Sequence, residues 1–203
     1  MILVASVATL VRAQELESIP SDKVRLFAEK LAEEAGKIDG LKLKIQADAT
    51  QANGVHVKDM LGIIVVPQKD IKKGEESSVN LKAEKGVPFA YLFSYKVVPI
   101  LDGKRIQADQ LFTLKVSDNN GEERKVHVLP LTAKKLSDDD YRLQAYGCGD
   151  KPVVDAKFSS EDEVNSPPVK IEIEDADSGT YEGTVKVTVF GKYSASFRAA
   201  YVE

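Results

Sequence analysis

The sequence predicts a mainly β protein: an antiparallel β-sandwich or partly open barrel with one N-terminal α-helix packed on it. Three observations predict it. Apolar residues recur at helical spacing in one window, residues 21–36. From residue 41 onward, apolar and polar residues alternate in about ten short segments, the period of a half-buried strand. Turn-forming residues separate these segments at intervals of roughly 8–12 residues, as in sandwiches and barrels. Strands do not alternate with helices, so a doubly wound sheet with its nucleotide crevice is not expected.

The 203 residues are enough for one sizeable core or two small ones. Hydrophobic residues make up 43% and charged residues 30%, an ordinary globular balance. The net charge is −4, with both signs interspersed. That pattern argues against nucleic acid, which selects a basic face, and against polybasic attachment to an anionic membrane. After residue 14 no stretch reaches the roughly 18–20 apolar residues that a membrane span needs.

The first fourteen residues, MILVASVATLVRAQ, read as an address. Positions 2–11 are small or aliphatic, apart from Ser6 and Thr9. Val11 and Ala13 fit a small-residue cleavage site, with Gln14 as the mature start. The expectation is a signal peptide over 1–13 and a secreted or periplasmic protein, although no basic residue precedes the apolar run. The alternative is a buried first strand. No cysteine follows the run, so no lipid anchor is expected.

Residues 14–158 are expected to form a helix plus a β domain. A polar lead-in ends at Pro20, and Ser21 or Asp22 is the expected N-cap. Val24, Phe27, Ala28, Leu31 and Ala35 then form the apolar face, with Arg25–Glu29, Lys30–Glu34 and Glu33–Lys37 as charge pairs outside. Gly36 is the expected stop. Strict alternation of Leu41, Leu43, Ile45 and Ala47 predicts a strand over 41–47. Strands over 54–60 and 61–67 follow, then a charged turn over 68–78 and a short strand over 79–83. Residues 88–101 are the most apolar stretch and read as central sheet. Asp102-Gly103 tolerates the positive φ of a tight turn. Segments 110–118 and 124–131, joined through Asn120-Gly121, form the clearest hairpin. A turn at 137–140 separates them from strands over 141–147 and 152–158.

Residues 159–168, SSEDEVNSPP, read as a linker or long loop. Residues 169–203 hold three further strands. A tail of about 35 residues cannot bury its own core, so it is expected to dock on the same sheet system.

Candidate chemistry is sparse. Phe89, Tyr91, Phe93 and Tyr95 alternate onto one strand face, as core or as a binding surface. Cys148, the one cysteine, sits between Gly147 and Gly149. In an oxidising compartment it has no intrachain partner. Burial at a strand end is the expectation, and an exposed reactive thiol is the alternative. His56 and His127 are the only histidines. His127 shares its strand face with Leu129 and Leu131, which is how a packed residue sits.

A zinc site would need three or four converging ligands, and the acid clusters at 137–141, 159–163 and 175–183 read as solvated turns. In the last of these, Lys186 stands where a calcium loop requires glutamate. The basic residues at 69–74 are answered at once by Glu75 and Glu76. Neither a phosphate loop nor a nucleophile elbow occurs. No catalytic, cofactor-binding or metal residue is assigned and no cofactor is expected. The function expected is an exported, non-catalytic β domain that binds or supports a protein or envelope component. The alternatives are a hydrolase with a dispersed Ser/Cys-His-Asp site and a carrier of a small apolar ligand.

Overall fold

The computed structural model describes residues 17–41, 43–57, 61–71, 81–117, 121–162, 164–177 and 180–202. The expected leader, most of the 68–78 turn and Asn120 lie outside the described residues. The chain begins with β1 (Glu17–Ser18), α1 (Ser21–Gly36), β2 (Asn53–Val57), β3 (Leu61–Pro67), β4 (Val87–Tyr95) and β5 (Val97–Leu101). It continues with β6 (Lys104–Arg105), β7 (Phe112–Ser117), β8 (Glu123–Ser137), β9 (Asp140–Tyr146) and β10 (Pro152–Lys157). Then come β11 (Ser159–Ser160), β12 (Val169–Asp177), β13 (Glu182–Val189) and β14 (Tyr193–Tyr201).

These strands form two antiparallel sheets, a β-sandwich with one helix and no closed barrel. The first runs β1-β2-β3-β4-β8-β9-β10, with β7 also on β8; the second runs β12-β13-β14-β5-β6, with β11 also on β14. Inward residues of both sheets meet in one core. Ile63, Leu92, Leu129, Leu131 and Leu143 come from the first sheet, and Ile171, Val185, Val187 and Phe197 from the second. The helix adds a third layer. Its Val24, Ala28, Leu31 and Ala35 close over Ile64, Val66, Tyr91, Phe93 and Val128 on the outer face of the first sheet. Removing that much apolar surface from water is the main stabilising term in such a stack.

Helix α1 covers the expected span, with two corrections. Pro20 is the N-cap and no side chain caps the end, so neither Ser21 nor Asp22 serves. Proline suits a helix entrance because its fixed φ costs nothing there and the orphan N–H is absent. The buried stripe also excludes Phe27, which is 49% exposed beside Leu26. Arg25–Glu29 pairs at 2.9 Å, and Lys37 reaches both Glu33 and Glu34 at 2.8 Å. Lys30 turns instead to the Ser117 carbonyl.

Three other expectations change, and a fourth gains detail. The described residues among 41–46 form no strand; the segment runs along the helix layer and meets the sheet backbone only at its end, where Lys69 N donates to Gln46 O and Ala47 bridges Gln68. Its alternation is real, since Leu41 is buried and Ile45 and Ala47 pack beside it. Of the short strand expected over 79–83, residues 81–83 are turn and bend, and residues 79 and 80 lie outside the described residues. The 88–101 run is two strands in different sheets. Lys96, at φ 56°, turns the chain from β4 into β5. Residues 159–168, expected as a linker or long loop, run beyond β11 as loop tied to the second sheet: β11 pairs with β14, Glu161 N donates to Lys192 O, and Val164 N donates to Gly191 O.

The tail joins the same sheet system, with β14 pairing β5. Asp102 and Gly103 both take positive φ in the tight β5–β6 turn, as the Asp-Gly pair predicts.

Candidate functional site

Strand β8 is long enough to hold two partners along one side. It pairs with β7 from Glu123 to Val128 and with β9 from Leu131 to Ser137. Between them lies Pro130, which has no N–H to give a ladder. The start of β7 and the end of β9 therefore face each other across a notch in the sheet. The Cys148 backbone N–H spans it, donating to Gln110 O at 2.8 Å.

Over this notch lies a cleft on the outer face of the first sheet. Pro130, Phe112 and Tyr146 are among its lining residues, with Leu41 and Leu43 from the helix-side layer. Lys85 and the Gly147–Cys148–Gly149 loop complete the rim. Its enclosed space is about 20 Å³, room for little more than a water molecule. Gly147 has to be glycine: a Cβ there would lie 2.0 Å from Gln110 O. The glycine lets the loop lie close against Gln110, just before the start of β7. Cys148 is exposed, which corrects the expectation of a buried strand-end residue.

A polar chain runs beside the cleft. Tyr146 donates its hydroxyl to Gln144 Oε1 at 2.8 Å, and Gln144 Nε2 donates to Asp155 Oδ2 at 3.3 Å. Arg142 pairs with Asp140 at 2.7 Å and with Asp155 at 3.5 Å. Burial, helped by the charges of Asp155 and Glu84, pushes the Tyr146 hydroxyl above its usual pKa. Lys85 Nζ sits 5.0 Å from the Tyr146 ring centre and 3.3 Å from Asp150 Oδ1, linking the strand to the cysteine loop.

The four aromatic residues do not share a face. A β-bulge between Pro88 and Ala90 inserts one residue into β4. Phe89 consequently packs between the sheets, while Tyr91 and Phe93 pack under α1. Tyr91 and Phe93 meet edge to face with ring centres 5.8 Å apart, each 1% exposed. Tyr95 alone of the four reaches the surface, where Arg124 Nη1 donates to its hydroxyl at 3.2 Å. The signal for the bulge was Pro88, which cannot donate to a neighbouring strand.

The two histidines lie apart from the thiol and from each other's partners. His127 is buried on the inter-sheet side of β8, and its Nδ1 meets Thr113 Oγ1 at 3.1 Å. Burial holds its pKa below the usual histidine value. Ser94 is its cross-strand neighbour, but the Ser94 hydroxyl donates to Val97 O at 2.8 Å. His56 lies on β2, 4.0 Å from Glu17 of β1. Among the described residues no group of three or more His, Cys, Asp or Glu side chains is placed to hold a metal ion. No helix among them is long and apolar enough to cross a membrane. Compared with protein-family models, curated proteins and solved structures, the chain matches none.

Proposed function

We propose that this chain is an exported β-sandwich that acts by contact, binding a protein or envelope component through its surface. The observation that carries this reading is the Cys148 cleft. It is small and lined by apolar residues together with Lys85 and Cys148, and it is held by a glycine that admits no side chain. A preformed, partly apolar surface of this kind suits association better than turnover. The apolar leader-like run at 2–11 supports export.

The dispersed-hydrolase alternative has one observation in its favour, the hydroxyl of Thr113 beside the imidazole of His127. A working triad also needs the imidazole oriented by an acid and the hydroxyl open to substrate. His127 faces the core alongside Leu129 and Leu131 instead. A ligand carrier would need a cavity of roughly 300 Å³ or more, far beyond the cleft.

The test uses the chain from Gln14 onward with a photocrosslinker on Cys148, exposed to a cell-envelope fraction. One discrete adduct, competed away by excess unlabelled chain, is expected. No adduct, together with a hydrolytic turnover abolished by His127→Ala, would overturn the reading. Intact mass of the secreted chain tests export, with an N-terminus at Gln14 expected.

A further inference from the structure

At the corner where β4 passes into β5, five side chains from four segments form one row. The Tyr181 and Tyr201 rings lie 5.9 Å apart. Lys96 Nζ sits 5.8 Å from the Tyr201 ring centre and 5.6 Å from that of Tyr95. Arg124 follows, its guanidinium carbon 5.9 Å from the Tyr95 ring. Aromatic and cationic groups thus run Tyr181, Tyr201, Lys96, Tyr95, Arg124 across the rim shared by both sheets.

The row is built firmly. Tyr201 N donates to Tyr181 O at 2.8 Å, Val202 N to Lys96 O at 2.9 Å, and Arg105 Nη2 to Thr180 O at 3.1 Å. Two of its members, Lys96 at φ 56° and Tyr181 at φ 57°, hold the left-handed backbone that residues with side chains avoid. Strain retained at two places in one surface cluster points to a use for the side chains placed there. Tyr181 is 55% exposed, and Tyr95, Lys96, Arg124 and Tyr201 are partly exposed. Lys96 meets two rings and no carboxylate among the described residues. Its ammonium lies between tyrosine faces, whereas the Arg124 guanidinium at the end of the row is paired with Glu122 at 2.6 Å.

We propose that this row is a binding site for an acidic, extended segment of a protein partner. Carboxylates would pair with Lys96, and flat apolar side chains would lie on the tyrosines between. Tyrosine and arginine are the residues that dominate protein contacts, and an unanswered lysine selects a negatively charged partner. The proposal deepens the binding reading and rests on it.

The experiment uses the full chain and a fluorescent peptide alternating glutamate with phenylalanine, read by anisotropy. Binding is expected, weakening as salt rises. Lys96→Gly should weaken it about tenfold or more, with an unchanged or higher Tm, because glycine suits φ 56°. Lys96→Asn, which also accepts that backbone, should repeat the loss. Equal binding by either variant, equal binding of the lysine–phenylalanine peptide, or binding of polygalacturonate in place of the acidic peptide would overturn the proposal. A partner captured through Cys148 but untouched by Lys96→Gly would sink this site and spare the broader reading.

Discussion

Asn53 of β2 and Ile171 of β12 are joined as though Asn53 carried a second peptide group. Its side-chain Oδ1 accepts from Ile171 N at 3.0 Å, and its Nδ2 donates to Val169 O at 2.7 Å. One residue of the first sheet thus supplies both a donor and an acceptor to the edge strand of the second. Among the described residues the outer side of β12 has no neighbouring strand, and an open edge is a place for unwanted pairing. The carboxamide covers the first part of that edge and locks the two sheets at their rim.

Replacing Asn53 by Ala leaves Ile171 N–H and Val169 C=O without partners. The expected loss is about 1–3 kcal/mol of unfolding free energy, measured by urea denaturation with the slope unchanged. A loss below about 0.5 kcal/mol, the range of an ordinary surface change, would show that water replaces the carboxamide freely.

Gly147 and Gly149 flank the thiol and should behave oppositely. A Cβ at Gly147 would sit 2.0 Å from a backbone oxygen that cannot swing away, while one at Gly149 meets nothing within 4 Å. Gly147→Ala is expected to cost about 1–3 kcal/mol, the range for overpacking, and to alter the rate of Cys148 labelling. Gly149→Ala should leave both stability and labelling near those of the parent chain. Native labelling of the parent should be rapid, as an exposed thiol requires. Equal effects from the two alanines would count against the loop geometry.

His127 sets a pH dependence with a definite sign. Its folded pKa lies below the ordinary 6.5 because burial disfavours the imidazolium. The unfolded chain then binds the proton more readily. The stabilising contribution is whole above about pH 6.5 and declines as pH falls from there through the lower folded value. Unfolding free energy measured from pH 7 to pH 5 should fall in the parent chain. His127→Gln should lack that part of the fall. Parallel profiles for the two chains would mean that His127 titrates as it does when unfolded.

Periodicity made the helix and most strands legible because burial on one face leaves a regular trace. It erred where burial and pairing part company. Leu41, Ile45 and Ala47 pack against the helix layer, yet backbone pairing is confined to the end of the segment, at Gln46 and Ala47. Phe89 was placed with Tyr91 because alternation assumes an unbroken strand, and the bulge at Pro88 shifts the count by one. The 159–168 segment looked like a linker on composition. What orders it is Lys186, which pairs with Glu161 at 2.7 Å, and Gly191, both far along the chain. The cleft was half visible: Gly147, Cys148 and Gly149 stood out, but the gap between β7 and β9 at Pro130 depends on pairings that one strand's sequence does not record.

Tyr91 links that hidden geometry to the aromatic run. Its ring is buried beneath the helix layer, and its hydroxyl accepts from Ile45 N at 3.0 Å. Ile45 lies on the same unpaired segment as Leu41 and Leu43, two residues that line the cleft. With the bond from Lys69 N to Gln46 O, this bond tethers that wall to the sheet. Tyr91→Phe keeps the buried ring and deletes the tether. The expected cost is about 1 kcal/mol, the net worth of one such hydrogen bond, and the change in the wall should exceed the change in stability. Hydrogen exchange of the 41–47 amides should quicken while those of β3 and β8 stay protected. If exchange quickens equally in all three, the hydroxyl serves general stability and the wall is held by packing of Leu41 alone.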